Sequence, residues 1–259
     1  MVCMNKKKII IGGIIAFIAI LILSLTGYFL FIKQDKNSTL TLMDKRWIED
    51  NKNTVIDLGI LNDIPVFSYS GSGVLFDFVQ DVEENTGLEF NKLPYAYGKE
   101  APTEYSFEFV SSPNEGDIVF YQDHYAIFVN QNVKYGALDK IPAMTLGVLS
   151  NDMADVNYYL QANRGLQYKS YKNAKELITA LQNGDVSGIV LPQILYFEEL
   201  ATHDFLYNAY NITEMGQSLV LHLGTNSKLN SIITKYFKKW NKDFLEHSYI
   251  THFSEMYFF

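Results

Sequence analysis

The chain has 259 residues, 48% apolar and 19% charged, with a single Cys. This excludes a disordered chain, an internal disulfide framework and a Cys-based zinc site, and leaves room for one large domain or two lobes of about 100 residues each. Lys6, Lys7, Lys8 and Lys33 are the only charges before Asp35, so residues 34–259 hold 17 basic (21 − 4) against 29 acidic groups; a body that acidic repels phosphate backbones and excludes nucleic acid as a partner.

Ile9 to Ile32 is free of charge. As a helix it reaches roughly 36 Å, enough to cross a hydrocarbon core of about 30 Å. It is longer than a signal-peptide core, and bulky Tyr28 to Ile32 follow Ser24-Leu25-Thr26-Gly27, so an uncleaved single-pass anchor is expected. Lys6-Lys7-Lys8 on the near flank predict a cytoplasmic N-terminus (residues 1–8), with the C-terminal domain outside the cell membrane. Cys3 precedes the apolar run and is not placed like a lipoprotein Cys. Residues 33–39 read as a linker.

Thr41-Leu42-Met43-Asp44 fits a capping box, with Trp47 and Ile48 on one face of the helix that follows. Thr54 to Leu61 alternates as a strand. Ser68 to Gly73 is a loop, and Val74, Leu75, Phe78, Val79 and Val82 recur at helical spacing until Gly87. Further strands are expected at 88–93, 105–110, 117–121 and 124–130. Met144 to Leu149 is a strand, and Ser150-Asn151-Asp152 supplies caps for a helix to about Asn163. A strand at 166–170, a helix at 172–183, the apolar strand Val186 to Leu191 closed by Pro192, and a helix at 193–201 follow. Strands come next near 206–212 and 217–223. Asn226 opens a long helix striped by Leu229, Ile232, Ile233, Tyr236, Phe237, Trp240 and Phe244, a stripe read as core packing. Alternating strands and helices argue an α/β fold.

Two blocks carry a family likeness. The first runs from Leu40-Thr41-Leu42-Met43-Asp44-Lys45-Arg46-Trp47 through Val55-Ile56-Asp57-Leu58-Gly59-Ile60 and Pro65-Val66-Phe67-Ser68-Tyr69 to Glu84-Asn85-Thr86-Gly87-Leu88. The second runs from Thr145-Leu146-Gly147-Val148-Leu149 through Tyr171-Lys172-Asn173-Ala174 to Gly184-Asp185-Val186-Ser187-Gly188-Ile189-Val190-Leu191-Pro192. Their order and spacing resemble the bacterial family 3 solute-binding proteins, also called periplasmic binding protein-like II, and above all the membrane-tethered versions that serve as sensor domains. The resemblance implies an α/β, two-lobed periplasmic-binding-protein type II fold behind one N-terminal transmembrane helix. Lobe 1 would comprise 40–128 and 220–259, and lobe 2 would comprise 129–219. Two hinge crossings would join them, with ligand in the cleft.

Open α/β sheets bind ligands beyond the carboxyl ends of their strands. The expected ligand-binding residues are therefore Asp63, Phe67, Tyr69, Ser70 and Asp77 in the first block, and Ser150, Asn151, Ser187 and Pro192 in the second. Phe67 and Tyr69 would stack on a ligand, the helix start near Ser150 would hold a carboxylate or another polar oxygen, and Asp77 would contact ligand or support its own helix turn. Two departures stand out. Amino-acid binders of the family pair an Arg of lobe 1 with the ligand carboxylate, but residues 53–142 contain no Arg. The family's amine-binding Asp of lobe 2 is matched here by Ser187. Either the ligand is not a standard amino acid or the cleft has decayed.

Five His residues show no metal spacing, Gly71-Ser72-Gly73 lacks the phosphate-loop pattern, and Ser70 and Ser72 lack a nucleophile elbow. Tyr121, Asp123, His124 and Tyr125 cluster near the first hinge crossing and read as strand packing. The leading expectation is a non-enzymatic, membrane-anchored solute-binding protein without cofactor or metal. Its partners would be a small-molecule ligand, the lipid bilayer through residues 9–32, and a transporter permease or signalling domain. The alternatives are a sensing module of a truncated or split signalling protein, and a small-acid lyase using Asp63 and Asp77.

Overall fold

The structure is a computed structural model that describes residues 40–257, so the expected anchor at 9–32, its cytoplasmic flank and the linker lie outside the described residues. Among the described residues no helix is long and apolar enough to cross a membrane.

Helix α1 (Leu42–Asn51) starts at the expected capping box: Thr41 Oγ1 accepts the Asp44 N–H, and Asp44 accepts the Thr41 N–H at 2.7 Å. Strand β1 (Val55–Leu61) leads through a tight loop to α2 (Val74–Thr86), which ends on left-handed Gly87. Strands β2 (Glu89–Tyr95), β3 (Ser106–Val110) and β4 (Ile118–Val129) follow. The next segment holds β5 (Met144–Leu149), α3 (Met153–Leu160), β6 (Leu166–Tyr171), α4 (Ala174–Gln182), β7 (Gly188–Pro192) and α5 (Phe197–Ala201). Strand β8 (Tyr207–His222) returns the chain to α6 (Ser227–Trp240), one π turn at Asn241–Leu245, and α7 (Glu246–Tyr257).

The eight strands run in the order β2-β1-β3-β8-β4-β7-β5-β6. The two flanks are parallel, β1 with β2 and β3, and β5 with β6 and β7. The middle is antiparallel, with β8 between β3 and β4. Cores form at both ends of this ribbon. At one end α2 and α6 cover β1 to β3, and Phe78 sits edge-on to Phe120, Phe237 and Trp240. Such pairs contribute about 0.5–1.5 kcal/mol each beyond area burial, which fixes α6 to this first lobe. At the other end α3 buries Val156 and Leu160 on one face, while α4 buries Leu177 and Leu181 on the other. Strand β7 is thereby buried on both faces, the usual reason for an unbroken apolar run in a parallel sheet.

Strands β4 and β8 belong to both lobes. Ile118 and Phe120 of β4 lie in the first core, and Tyr125, Ile127 and Val129 in the second. The pairing breaks at the same place: His124 faces Gly216, but the next residue, Tyr125, faces Ile212, so Thr213, Glu214 and Met215 bulge out.

Candidate functional site

The candidate site gathers side chains that follow β2, β5 and β7 together with two from the shared strands β4 and β8. Tyr97 follows β2 and packs edge-on against Phe109 of β3. Its hydroxyl donates to Gln217 Oε1 at 3.2 Å. Gln217, on β8 beside the bulge, donates through Nε2 to the Tyr125 hydroxyl. The Tyr125 hydroxyl also feels the carboxylate of Asp152, which follows β5 in the second lobe. One chain of side chains thus joins a turn of the first lobe to Tyr125 in the core of the second. Tyr196, between β7 and α5, stands near Tyr97 and Asp152. Tyr69, on the loop after β1, faces Glu198 of α5.

Electrostatics keep this site acidic and protonated at its phenols. Burial, then Asp152 and the neighbouring Tyr97, push the Tyr125 hydroxyl far above its ordinary pKa. Burial, with Tyr97 and Asp152, does the same for Tyr196. Burial also raises the Asp152 carboxyl, against the opposing pull of the Tyr125 hydroxyl. All these phenols stay O–H donors at neutral pH.

Asp123 anchors the hinge. Its carboxylate is buried and accepts the backbone N–H groups of Gln193, Ile194 and Leu195 at 3.0–3.1 Å. The chain forms turns over 193–196, and regular helix starts at Phe197, later than the helix expected from 193. Behind the hinge lies a cavity of about 340 Å³ lined by Tyr121, Asp123, His124, Phe197 and Asn208 among others. Of the hinge cluster expected to be strand packing, Asp123 is a backbone clamp and Tyr125 a bridge between the lobes.

The expected site residues divide. Asp63, Tyr69 and Ser70 sit exposed on the loop after β1, with Asp63 and Ser70 in left-handed backbone at φ +59° and +52°. Ser150 and Asn151 are exposed beyond the carboxyl end of β5, where the Ser150 hydroxyl is shared with Ser170 and the Tyr171 carbonyl. Pro192 lies buried at the carboxyl end of β7, opposite Tyr125.

The other expectations need correction. Phe67 has no exposed surface and packs against Tyr121 and Tyr249, so it offers no face to a ligand. Asp77 turns to α7, accepting from Ser248 Oγ at 2.6 Å and lying 2.9 Å from His252 Nε2. Ser187 precedes β7, and its N–H binds the Thr145 carbonyl, so it lies at the amino end of the strand, away from Pro192. The start of α3 is not an open anion seat, because Asp152 occupies the cap position and its carboxylate does not cap the helix. Reading along the chain missed Tyr97, Tyr125 as a bridge, Asp152 as a site carboxylate, Tyr196 and Gln217. Their one sequence signal is that Tyr97 and Tyr196 each fall a few residues past the end of a strand.

No protein-family model matches the sequence, and no curated protein matches it. Solved structures do. The periplasmic VFT2 domain of Bordetella pertussis BvgS superposes with a TM-score of 0.58 at 16% identity, covering 82% of this chain and 97% of that one. The amino acid ABC transporter substrate-binding protein AbpA of Streptococcus pneumoniae, bound to L-arginine, gives 0.58 at 15%, covering 81% and 98%. A mutant of ArgBP from T. maritima gives 0.51 at 12%, covering 80% and 97%. The chain therefore has the mixed α/β, two-lobed periplasmic-binding-protein fold.

Proposed function

We propose that this chain is a non-enzymatic ligand-binding module that captures a small polar molecule between its lobes. Residues 9–32 would hold it at the outer face of the cell membrane. The observation that carries the reading is the bridge Tyr97–Gln217–Tyr125, which runs from a turn of the first lobe across β8 to a tyrosine of the second core, between lobes that share β4 and β8. Two rigid cores connected by a bulged strand pair can rock about the bulge, and polar groups facing across the gap can exchange partners with a ligand. The likeness to an arginine-bound substrate-binding protein and to a VFT domain supports ligand capture. Asp77 is engaged by α7 and Asp63 lies on the exposed rim, so the carboxylates nominated for acid–base chemistry do not form a pair.

A specific contact favours sensing over transport. Tyr249 of α7 stacks on Tyr121 of β4 with ring centroids 6.0 Å apart and planes 10° from parallel. The last helix thus rests on the hinge strand, where lobe motion would reach the C-terminal end of the domain.

Calorimetric titration of the full-length protein with pools of small polar metabolites tests the capture reading. Saturable heat is expected with at least one pool, and heat with none overturns it. A membrane-impermeant maleimide should label a Glu89→Cys, Cys3→Ser variant in intact protoplasts. Labelling only after lysis overturns the outward orientation.

A further inference from the structure

We propose that the cavity behind the hinge is an effector site for a small uncharged aromatic molecule with one polar edge. The site itself stands apart from the cleft; only the effector role rests on the reading that the lobes move. Strand alternation puts His124 and Phe128 on one side of β4 and Tyr125, Ile127 and Val129 on the other, in a different core. The cavity that His124 and Phe128 line therefore lies across the hinge strand from the Tyr97–Gln217–Tyr125 bridge.

Its volume of about 340 Å³ falls within the span of about 300–1,000 Å³ usual for small-molecule sites. The rings of Tyr121, Phe128 and Phe197 stand around it with Ile194 and Leu200. Such walls suit a flat guest, because aromatic pairs gain from offset and edge-to-face contact beyond area burial. Two polar groups of the wall are unmet. Gln193 Oε1 accepts from Asn208 Nδ2 at 3.3 Å, but Gln193 Nε2 has no partner among the described residues, and His124 Nδ1 is buried over Gly216 without one. A guest with an acceptor and a donor on one edge would settle them.

The wall favours neither sign of charge. Both Asp123 oxygens are filled by four bonds from the Gln193, Ile194 and Leu195 N–H groups, about as many as a carboxylate has lone-pair sites, so no seat is left for a cation. No Lys or Arg lines the cavity. Lys134 reaches Asn208 Oδ1 at 3.3 Å but is not part of the lining, where His124 alone can turn cationic.

The walls come from both lobes. Tyr121 and Ile194 pack with the first core, and Phe128 and Leu200 with a core of the second lobe. A guest touching both prefers one arrangement of the lobes, shifts their equilibrium, and by linkage changes the affinity of the cleft.

The experiment is saturation-transfer NMR on the full-length protein with benzamide, benzoate and benzylamine, probes of one size that differ in charge. Benzamide is expected to bind saturably, about tenfold or more tighter than either charged probe. Ala201→Trp fills the cavity from an exposed position and should abolish binding, and Gln193→Met, which removes the amide, should weaken it about fivefold or more. Tyr97→Leu, on the cleft side, should leave it unchanged, with thermal unfolding checking the fold of each variant. Absence of benzamide binding, a charged probe that binds as tightly, or binding that both Ala201→Trp and Gln193→Met leave intact overturns the site. Binding lost in Tyr97→Leu but kept in Ala201→Trp puts the aromatic in the cleft, which overturns the hinge site and leaves ligand capture standing. Saturating benzamide should also shift the distance between spin labels at Glu84→Cys and Lys175→Cys, one on each lobe, in a Cys3→Ser background; an unchanged distribution overturns the effector role.

Discussion

Asp123 receives the backbone N–H of Ile194 on both of its carboxylate oxygens, each at 3.0 Å. With Gln193 and Leu195 on the same carboxylate, the residue one step before the pairing break of β4 holds the segment by which β7 leaves the second lobe. Ile194 and Leu195 themselves pack into the first core, so the clamp pins a crossing between the lobes.

Asp123→Asn keeps the size of the side chain but replaces one acceptor oxygen with an NH₂ that faces N–H donors. Buried N–H groups left unsatisfied cost about 1–3 kcal/mol, and hydrogen bonds to a charged acceptor are worth about 1.5–3 kcal/mol. Urea unfolding should show a loss of about 2–3 kcal/mol. A loss below about 0.5 kcal/mol, the range of ordinary surface changes, would mean the clamp carries no stability.

Asp44 predicts an acid-sensitive latch between α1 and α6. It is fully buried, caps α1 through Thr41, and pairs with Lys228 and Lys235. Burial works to raise its pKa, but the two ammonium groups and Thr41 outweigh burial and hold the carboxyl well below the ordinary value near 4. A lowered pKa means that the stabilisation is complete above that ordinary value and fades as pH falls toward the lowered one. Asp44→Asn should therefore cost about 2 kcal/mol at neutral pH, and the gap to the parent should shrink below about pH 4. Urea midpoints of both proteins across that range check it. A gap that widens on acidification would reverse the sign and contradict the latch.

Gly73 and Gly184 both have positive φ, but only one is enclosed. A Cβ at Gly73, at φ +125°, would lie 2.5 Å from the Phe67 carbonyl oxygen, whereas one at Gly184 would meet nothing within 4 Å. Gly73→Ala should cost about 3 kcal/mol or more because a backbone atom must move, and Gly184→Ala only about 1–2 kcal/mol for its left-handed conformation. Equal losses in thermal or urea unfolding would mean that the loop after β1 yields freely.

How much of this was legible depended on whether the signal was local. The capping box at Thr41, α2 with its Gly87 stop, and α4 within the expected 172–183 stand where spacing put them, because each rests on residues within a turn or two. The hinge strands read as four short pieces but form two long strands. Gln122-Asp123 and Thr213-Glu214 look like loop interruptions, whereas the first pair lies in an unbroken ladder and the second in its bulge. Helix α7 went unread because its buried side, Ser248, Tyr249 and His252, is polar or aromatic and bonds Asp77 and Tyr121 from remote segments. The site failed for the same reason. Tyr97, Tyr125, Asp152, Tyr196 and Gln217 come from five separate segments, and no spacing along the chain connects them.

Pulsed distance measurement between spin labels at Glu84→Cys on α2 and Lys175→Cys on α4, in a Cys3→Ser background, tests the central claim most directly; both positions are exposed, one on each lobe. A ligand that bridges the lobes selects the closed arrangement, so the distance distribution should narrow or shift on adding the pool that gives calorimetric heat. A distribution that stays the same while that pool is bound would contradict capture between moving lobes.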